Sequence, residues 1–268
     1  MLVFYFTDTN FMNTTIVNNN SEKPITTALL LAAGTGSRLF PLTENSPKCL
    51  TEVNGIPILE RLIFSLQEHG FKKLVVITGY LCKSIMDYLG EQVGSISIEY
   101  IHSSLYKTTN NIYSLWMARN IIKEPFVLFE SDLIFDTDLL KDMLFSDRMA
   151  ISLMQPWLNG TTVTVKENGS VLAFQKGTTK SYIDVRYKTV NIYSFSLASW
   201  QSIIKRLDAY IARGDVNCYY ETVFSELLKE KVLSLKGVYF DKKPWYEVDT
   251  IEDLKKAEIL FPDALTAI

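Results

Sequence analysis

The stretch Leu31-Ala32-Ala33-Gly34-Thr35-Gly36-Ser37-Arg38-Leu39-Phe40-Pro41-Leu42-Thr43 decides how this chain is read. Residues 28–33 form an apolar run of a strand's length that empties into a turn of small residues. Two glycines let backbone N–H groups come close to an anion, and Arg38 adds a permanent cation whose planar fork suits phosphate. Pro47-Lys48 brings a second cation from the far side of the same loop. The plain alternative is that Gly34 and Gly36 only turn the chain while Arg38 and Lys48 sit in solvent. Two familiar glycine loops do not fit. A dinucleotide fingerprint needs a third glycine where Leu39 stands, and an acid after the second strand, where the chain has Thr78-Gly79. A Walker loop needs Gly-Lys-Ser/Thr, which Ser37-Arg38-Leu39 does not supply. A nicotinamide enzyme and an ATPase are both disfavoured.

Outward from the loop, strand and helix patterns alternate. The periodicity predicts a strand at 28–33, a helix over 57–69, a strand at 73–78 and a helix from Leu81. It continues with a strand at 96–102, a helix over 111–122 and a strand at 126–130, the rhythm of a parallel sheet covered on both faces. After Asp132 the texture changes. A helix over 137–145 is expected, then strands at 150–154, 161–166 and 171–175, with Glu167-Asn168-Gly169 as a hairpin turn. Helices over 197–213 and 220–229, short strands within 232–240 and 245–248, and a last helix over 250–260 complete the prediction. Residues 1–24 show no lasting periodicity and read as a poorly ordered leader, or as an upstream extension if Met12 is the true start. Residues 25–268 read as one domain.

Composition narrows the class. The 268 residues carry 27 Lys+Arg against 30 Asp+Glu, a formal charge of −3, which argues against a nucleic-acid binder. Hydrophobic residues at 47% and charged residues at 21% suit a packed globular chain. No apolar run reaches the roughly 18–20 residues of a bilayer span, so no membrane association is expected. Cys49, Cys82 and Cys218, with only His69 and His102 beside them, fit neither a disulfide framework nor a zinc site. A cytoplasmic setting is expected.

Leu31-Ala32-Ala33-Gly34-x-Gly36-x-Arg38, with Pro41-Leu42-Thr43 and Pro47-Lys48 behind it, resembles the signature of nucleotidyltransferases that join a nucleoside triphosphate to a phosphorylated small molecule. The resemblance runs over roughly residues 27–260. The segments Thr78-Gly79-Tyr80, Asn110-Asn111-Ile112-Tyr113-Ser114-Leu115 and Trp245-Tyr246-Glu247-Val248-Asp249 look most like bacterial CTP:phosphocholine cytidylyltransferases. It implies a Rossmann-type three-layer α/β fold with a mixed, mainly parallel sheet and a small antiparallel acceptor lobe. It also implies that Arg38 and Lys48 touch phosphates, Lys48 bridging donor and acceptor, and that Asp132 and Asp249 hold Mg2+.

The residues themselves leave some of these roles open. Asp132 follows an apolar strand, where ligands of open α/β sheets bind. Asp249-Thr250-Ile251-Glu252 also reads as a capping box with Asp249 as N-cap. Glu130 stands where relatives often have Asp, and no ligand role is assigned to it. Asn110 and Asn111 are good N-caps, yet a primary amide also suits the mixed edge of cytosine. The expected nucleotide pocket is Leu31, Ala33, Gly34, Thr35, Gly36, Ser37 and Arg38, with Thr78, Gly79, Tyr80, Asn110, Asn111 and Ser131.

A phosphocholine acceptor needs aromatic faces and carboxylates around its quaternary ammonium. Trp157, Tyr187, Tyr193, Tyr219 and Tyr220, beside Glu221 and Glu247, are the candidates, with Lys48 at the phosphate. Ordinary core packing is the alternative for each of them. The expected partners are therefore CTP and a phosphorylated small molecule, for a monomer or homodimer. Within the same chemistry the acceptor could instead be aminoethylphosphonate, another phosphorylated amine or amide, or a sugar 1-phosphate. From another class, the chain could bind nucleotide as a regulatory subunit without turnover.

Overall fold

The computed structural model describes residues 23–155, 158–175 and 185–262. Fourteen strands follow in chain order: β1 (Thr27–Ala32), β2 (Glu52–Val53), β3 (Ile56–Pro57), β4 (Lys73–Thr78), β5 (Gln92–Val93), β6 (Ile96–His102), β7 (Phe126–Glu130), β8 (Leu133–Phe135), β9 (Arg148–Leu153), β10 (Thr162–Val165), β11 (Val171–Gln175), β12 (Arg186–Phe195), β13 (Lys236–Tyr239) and β14 (Trp245–Glu247). The α-helices are α1 (Ile58–Glu68), α2 (Cys82–Leu89), α3 (Asn111–Met117), α4 (Leu197–Ala212), α5 (Tyr220–Lys229) and α6 (Ile251–Leu260).

Ten strands share one sheet in the order β11-β10-β12-β7-β1-β4-β6-β5, with β9 paired to β12 and β13. β1 lies between β7 and β4, and those pairs and β4 with β6 are all parallel. Every residue of β1 is buried, as the continuous apolar run of a strand covered on both faces requires. One apolar layer joins this sheet to α3, α4 and α5, and a second lies under α1 and α2. Helix α1 fits its layer because Leu59, Leu62, Ile63 and Leu66 recur at helical spacing. No described helix is long and apolar enough to cross a membrane.

The mixed, mainly parallel α/β sheet is the expected fold class, with differences of detail. The largest is β12, a ten-residue strand for which the sequence pattern gives no signal. It runs antiparallel to β7 through Ile192–Phe195 and antiparallel to β10 through Arg186–Lys188, so it joins the parallel half of the sheet to the antiparallel lobe. Its register against β9 shifts between Thr189 and Tyr193, where Asn191 takes a left-handed φ of 61°. The helix expected over 137–145 is a 3-10 segment, Thr137–Met143, and the one expected over 111–122 leaves α-geometry after Met117. Of the expected leader, residues 1–22 lie outside the described residues.

Candidate functional site

The glycine loop leaves β1 directly into a cavity of about 310 Å³. Its lining includes Leu31, Ala33, Gly34, Gly36, Ser37 and Arg38 from this side, and Glu130, Ser131 and Asp132 from the end of β7. Gly36 takes a φ of 63°, and a Cβ there would meet Lys48 Cβ at 3.0 Å and Thr43 Cγ2 at 3.1 Å. Only glycine allows the loop to fold back this closely. Thr43 Oγ1 donates to Gly36 O at 2.9 Å and fixes the return.

Thr78, Gly79 and Tyr80 support the loop rather than line the cavity. Thr78 is buried and donates to Ile101 O. A Cβ on Gly79 would lie 2.6 Å from Ala33 O, so the β4 turn can approach the loop only with glycine. The Tyr80 N–H donates to that same Ala33 O, and its hydroxyl donates to Thr43 O and Glu44 O. Thr35 is likewise absent from the lining, whereas Tyr106, Thr109 and Ser114 belong to it without having been foreseen. Tyr106 and Thr109 sit in a polar connection with no periodic signal; Ser114 is inside the Asn110–Leu115 segment already singled out.

At the mouth of the cavity four expected residues converge. Lys48 Nζ lies 2.6 Å from Asp132 Oδ2 and 2.5 Å from Asp249 Oδ1. Arg38 adds a bond to the same Asp249 oxygen at 2.8 Å while its side chain stays 69% exposed. Burial pulls the Lys48 pKa down, but the two carboxylates outweigh it and hold the ammonium above its ordinary value. Asp249 is free for this role because it is not the helix cap. The N-cap of α6 is Thr250, whose Oγ1 accepts from Asp253 N while the Asp253 carboxylate accepts from Thr250 N. The capping box expected at Asp249 and Glu252 is thus shifted one residue along, and the acid before it turns toward Lys48.

A second acid group stands behind the first. Carboxylate oxygens of Glu130, Asp132 and Glu247 lie within 4.8 Å of one another. Burial, followed by the charges of Asp132, Glu221 and Glu247, pushes the Glu130 carboxyl well above its ordinary range. Burial also raises Glu247, against the opposing pull of Lys188, whose Nζ lies 3.2 Å from Glu247 Oε2. Asp132 fits a cation on one further ground. It is 9% exposed, and its Oδ1 is buried without a hydrogen-bond partner among the described residues. An orphaned anionic oxygen among carboxylates is costly unless a cation completes it.

The remaining candidates divide. Asn110 caps α3, accepting from Asn111 N, and lines the cavity with Asn111. Tyr219 is 56% exposed and lines it too. Tyr193 and Tyr220 are fully buried with their rings 5.8 Å apart, and Glu221 is buried beside them. The Tyr187 ring packs edge-on against Tyr239 at 5.3 Å. The aromatic faces of Tyr193 and Tyr220 are therefore spent on core contacts, while Tyr187 is half-buried. Trp157 lies outside the described residues.

The family profile described as Nucleotidyl transferase matches residues 27–154. The choline-phosphate cytidylyltransferase of Streptococcus pneumoniae is 29% identical, over 86% of this chain and 96% of that protein. The CTP:phosphoglutamine cytidylyltransferase of Campylobacter jejuni is 26% identical, over 85% and 97% respectively. Among solved structures, that of the CTP:phosphocholine cytidylyltransferase from Streptococcus pneumoniae superposes with a TM-score of 0.77 at 24% identity, over 88% of this chain and 100% of that one.

Proposed function

We propose that the chain is a nucleotidyltransferase, as the profile match over residues 27–154 suggests, and that it transfers the cytidylyl group of CTP to a small acceptor bearing a phosphate, phosphocholine first among them, with release of pyrophosphate. The observation that carries this reading is the convergence of Lys48, Arg38, Asp132 and Asp249 at the mouth of a cavity floored by a glycine loop. A regulatory subunit would have no need to keep all four.

The chemistry asks little of proton transfer. A phosphate monoester has a second pKa of about 6, so its attacking oxygen is already largely ionised at neutral pH. That oxygen forms a bond to the α-phosphorus of CTP as the bond to pyrophosphate breaks, giving CDP-choline from phosphocholine. The barrier is repulsion between anions, and it is lowered by positioning and by positive charge. In this reading the loop N–H groups and Arg38 receive the triphosphate, and Lys48 leaves its carboxylates to bridge donor and acceptor phosphates. Asp132 and Asp249 would hold Mg2+, which supplies charge neutralisation at the phosphates when bound. Asn110, at the start of α3, offers an amide to the base.

Phosphocholine is favoured over a sugar 1-phosphate by the buried acids. Glu130 feels the charges of Asp132, Glu221 and Glu247, and Lys188 Nζ lies 3.2 Å from Glu247 Oε2. A cationic acceptor end is welcome in such a field, and a ring of hydroxyls gains nothing from it. The test is pyrophosphate release measured for each nucleoside triphosphate against phosphocholine, aminoethylphosphonate, phosphoethanolamine and a hexose 1-phosphate, with and without Mg2+. CTP with an ammonium-bearing acceptor is expected to lead. A preference for the hexose phosphate would reject the acceptor reading, and no release with any pair would reject the transferase reading.

A further inference from the structure

Three hydrogen bonds around Glu130 form a closed triangle that joins three separate elements. Glu130, the last residue of β7, accepts at Oε1 from Asn111 Nδ2 at 3.1 Å and from the Tyr220 hydroxyl at 2.7 Å. Asn111 is the first residue of α3, and its Oδ1 accepts from the backbone N–H of Tyr220 at 3.0 Å. Tyr220 is in turn the first residue of α5. Each corner holds the other two, so none can move alone.

The same two helix starts are tied a second time. Asn110 N donates to Val216 O at 2.8 Å, in the connection that leads into α5. The Tyr220 ring is clasped by Phe224 at 5.1 Å and by Tyr193. On one side of the triangle, Asn110, Asn111 and Glu130 line the nucleotide cavity. On the other, α5 presents Glu221 in its first turn, among the acids assigned above to the acceptor end.

We propose that Glu130 is a positioning residue that couples the two halves of the site, so that nucleotide seated against the start of α3 fixes the start of α5 and with it the acceptor side. This rests on the function proposed above and adds a means by which donor binding prepares the acceptor pocket. It also reassigns Asn111. Both ends of its amide are engaged by protein, so its position is tied to that of Glu130 and Tyr220. The triangle requires an accepting oxygen at Glu130, and a carboxamide meets that requirement as well as a carboxylate.

Hydrogen exchange of the full chain, with and without a non-cleavable CTP analogue and Mg2+, tests the proposal. In the unaltered protein the analogue slows exchange both in the glycine loop and at residues 220–228. Glu130→Ala and Tyr220→Phe keep the slowing in the loop and lose it in α5, by about tenfold for one lost hydrogen bond. Glu130→Gln restores both. Tyr220→Phe keeps the ring and the backbone bond, so it answers the question even where Glu130→Ala folds poorly. Equal slowing of α5 in Tyr220→Phe and in the unaltered protein would overturn the coupling, as would loss of the slowing in Glu130→Gln. Absence of slowing in the loop of the unaltered protein would instead reject nucleotide binding itself.

Discussion

Replacing Lys48 by Met tests whether the lysine holds a place that a divalent cation can take. The substitution keeps the stem and removes one ammonium that touches two carboxylates. Both carboxylate oxygens lie close to the same nitrogen, at 2.6 and 2.5 Å, so they can be no more than about 5 Å apart, and at an effective dielectric near 20 their repulsion is at least about 3 kcal/mol. The Lys48 side chain is 13% exposed, so solvent screens little of this. Arg38 keeps its bond to Asp249, which trims the loss to about 2–3 kcal/mol. For a chain of this size that corresponds to a melting temperature lower by about 5–10 °C.

The diagnostic step is the response to Mg2+ in thermal unfolding. In Lys48→Met the acids are free, and Mg2+ at about 100 times its Kd returns about 2.7 kcal/mol. In the unaltered protein the ion must displace an ammonium first, so the gain at the same concentration is smaller. Turnover in Lys48→Met should still fall by about 10²–10³, because the ion replaces the structural role of the lysine and not its contact with phosphate. Equal Mg2+ stabilisation of both proteins would refute the reasoning, since Lys48 would then not compete with the ion for Asp132 and Asp249.

Arg38→Ala should leave the melting temperature within about 1–2 °C, as expected of an exposed surface residue, while transfer falls by about 10²-fold; unfolding scans and pyrophosphate release read the two effects. Asp249→Asn and Thr250→Ala should separate the metal acid from the helix cap. The first abolishes transfer, and the second removes about 1 kcal/mol of stability with transfer retained. Burial pushes the Cys49 thiol up to about 12, so it should resist alkylation at pH 8 while the less buried Cys82 and Cys218 react, as peptide mass mapping would show. The sign of its linkage follows. Between about pH 9 and pH 12 the unfolded thiol ionises and the folded one does not, so Cys49 lowers stability as pH rises through that window.

The parallel half of the sheet was legible because its strands are apolar runs and α1 is amphipathic, signals that need no tertiary context. Strand β12 was not, because buried polar residues interrupt its apolar ones. Lys188, Thr189, Asn191 and Ser194 are all buried there, and each is satisfied by a partner that the pattern cannot reveal. Lys188 meets Glu247, Thr189 donates to Asn191 Oδ1, and Ser194 donates to Phe145 O. A strand whose polar residues are paid for by distant partners reads as a loop. The cap of α6 was misplaced by one residue for a related reason. Asp249 and Thr250 are both good N-caps, and the choice between them falls to a lysine 201 positions away that claims the aspartate.

That competition bears on how the proposed ligands would enter. Asp132 and Asp249 meet the half-buried Lys48, Glu247 meets the buried Lys188, and Arg38 reaches Asp249 from the exposed side. A triphosphate entering alone would bring further negative charge against acids already in excess, and Lys48 cannot serve both the phosphates and its two carboxylates. Asp132 Oδ1 is buried without a hydrogen-bond partner among the described residues, a place where a cation would be welcome. Nucleotide and divalent cation should therefore bind as one unit. Each would be weak without the other, because the ion frees Lys48 from the acids and the phosphates then give the freed ammonium a partner.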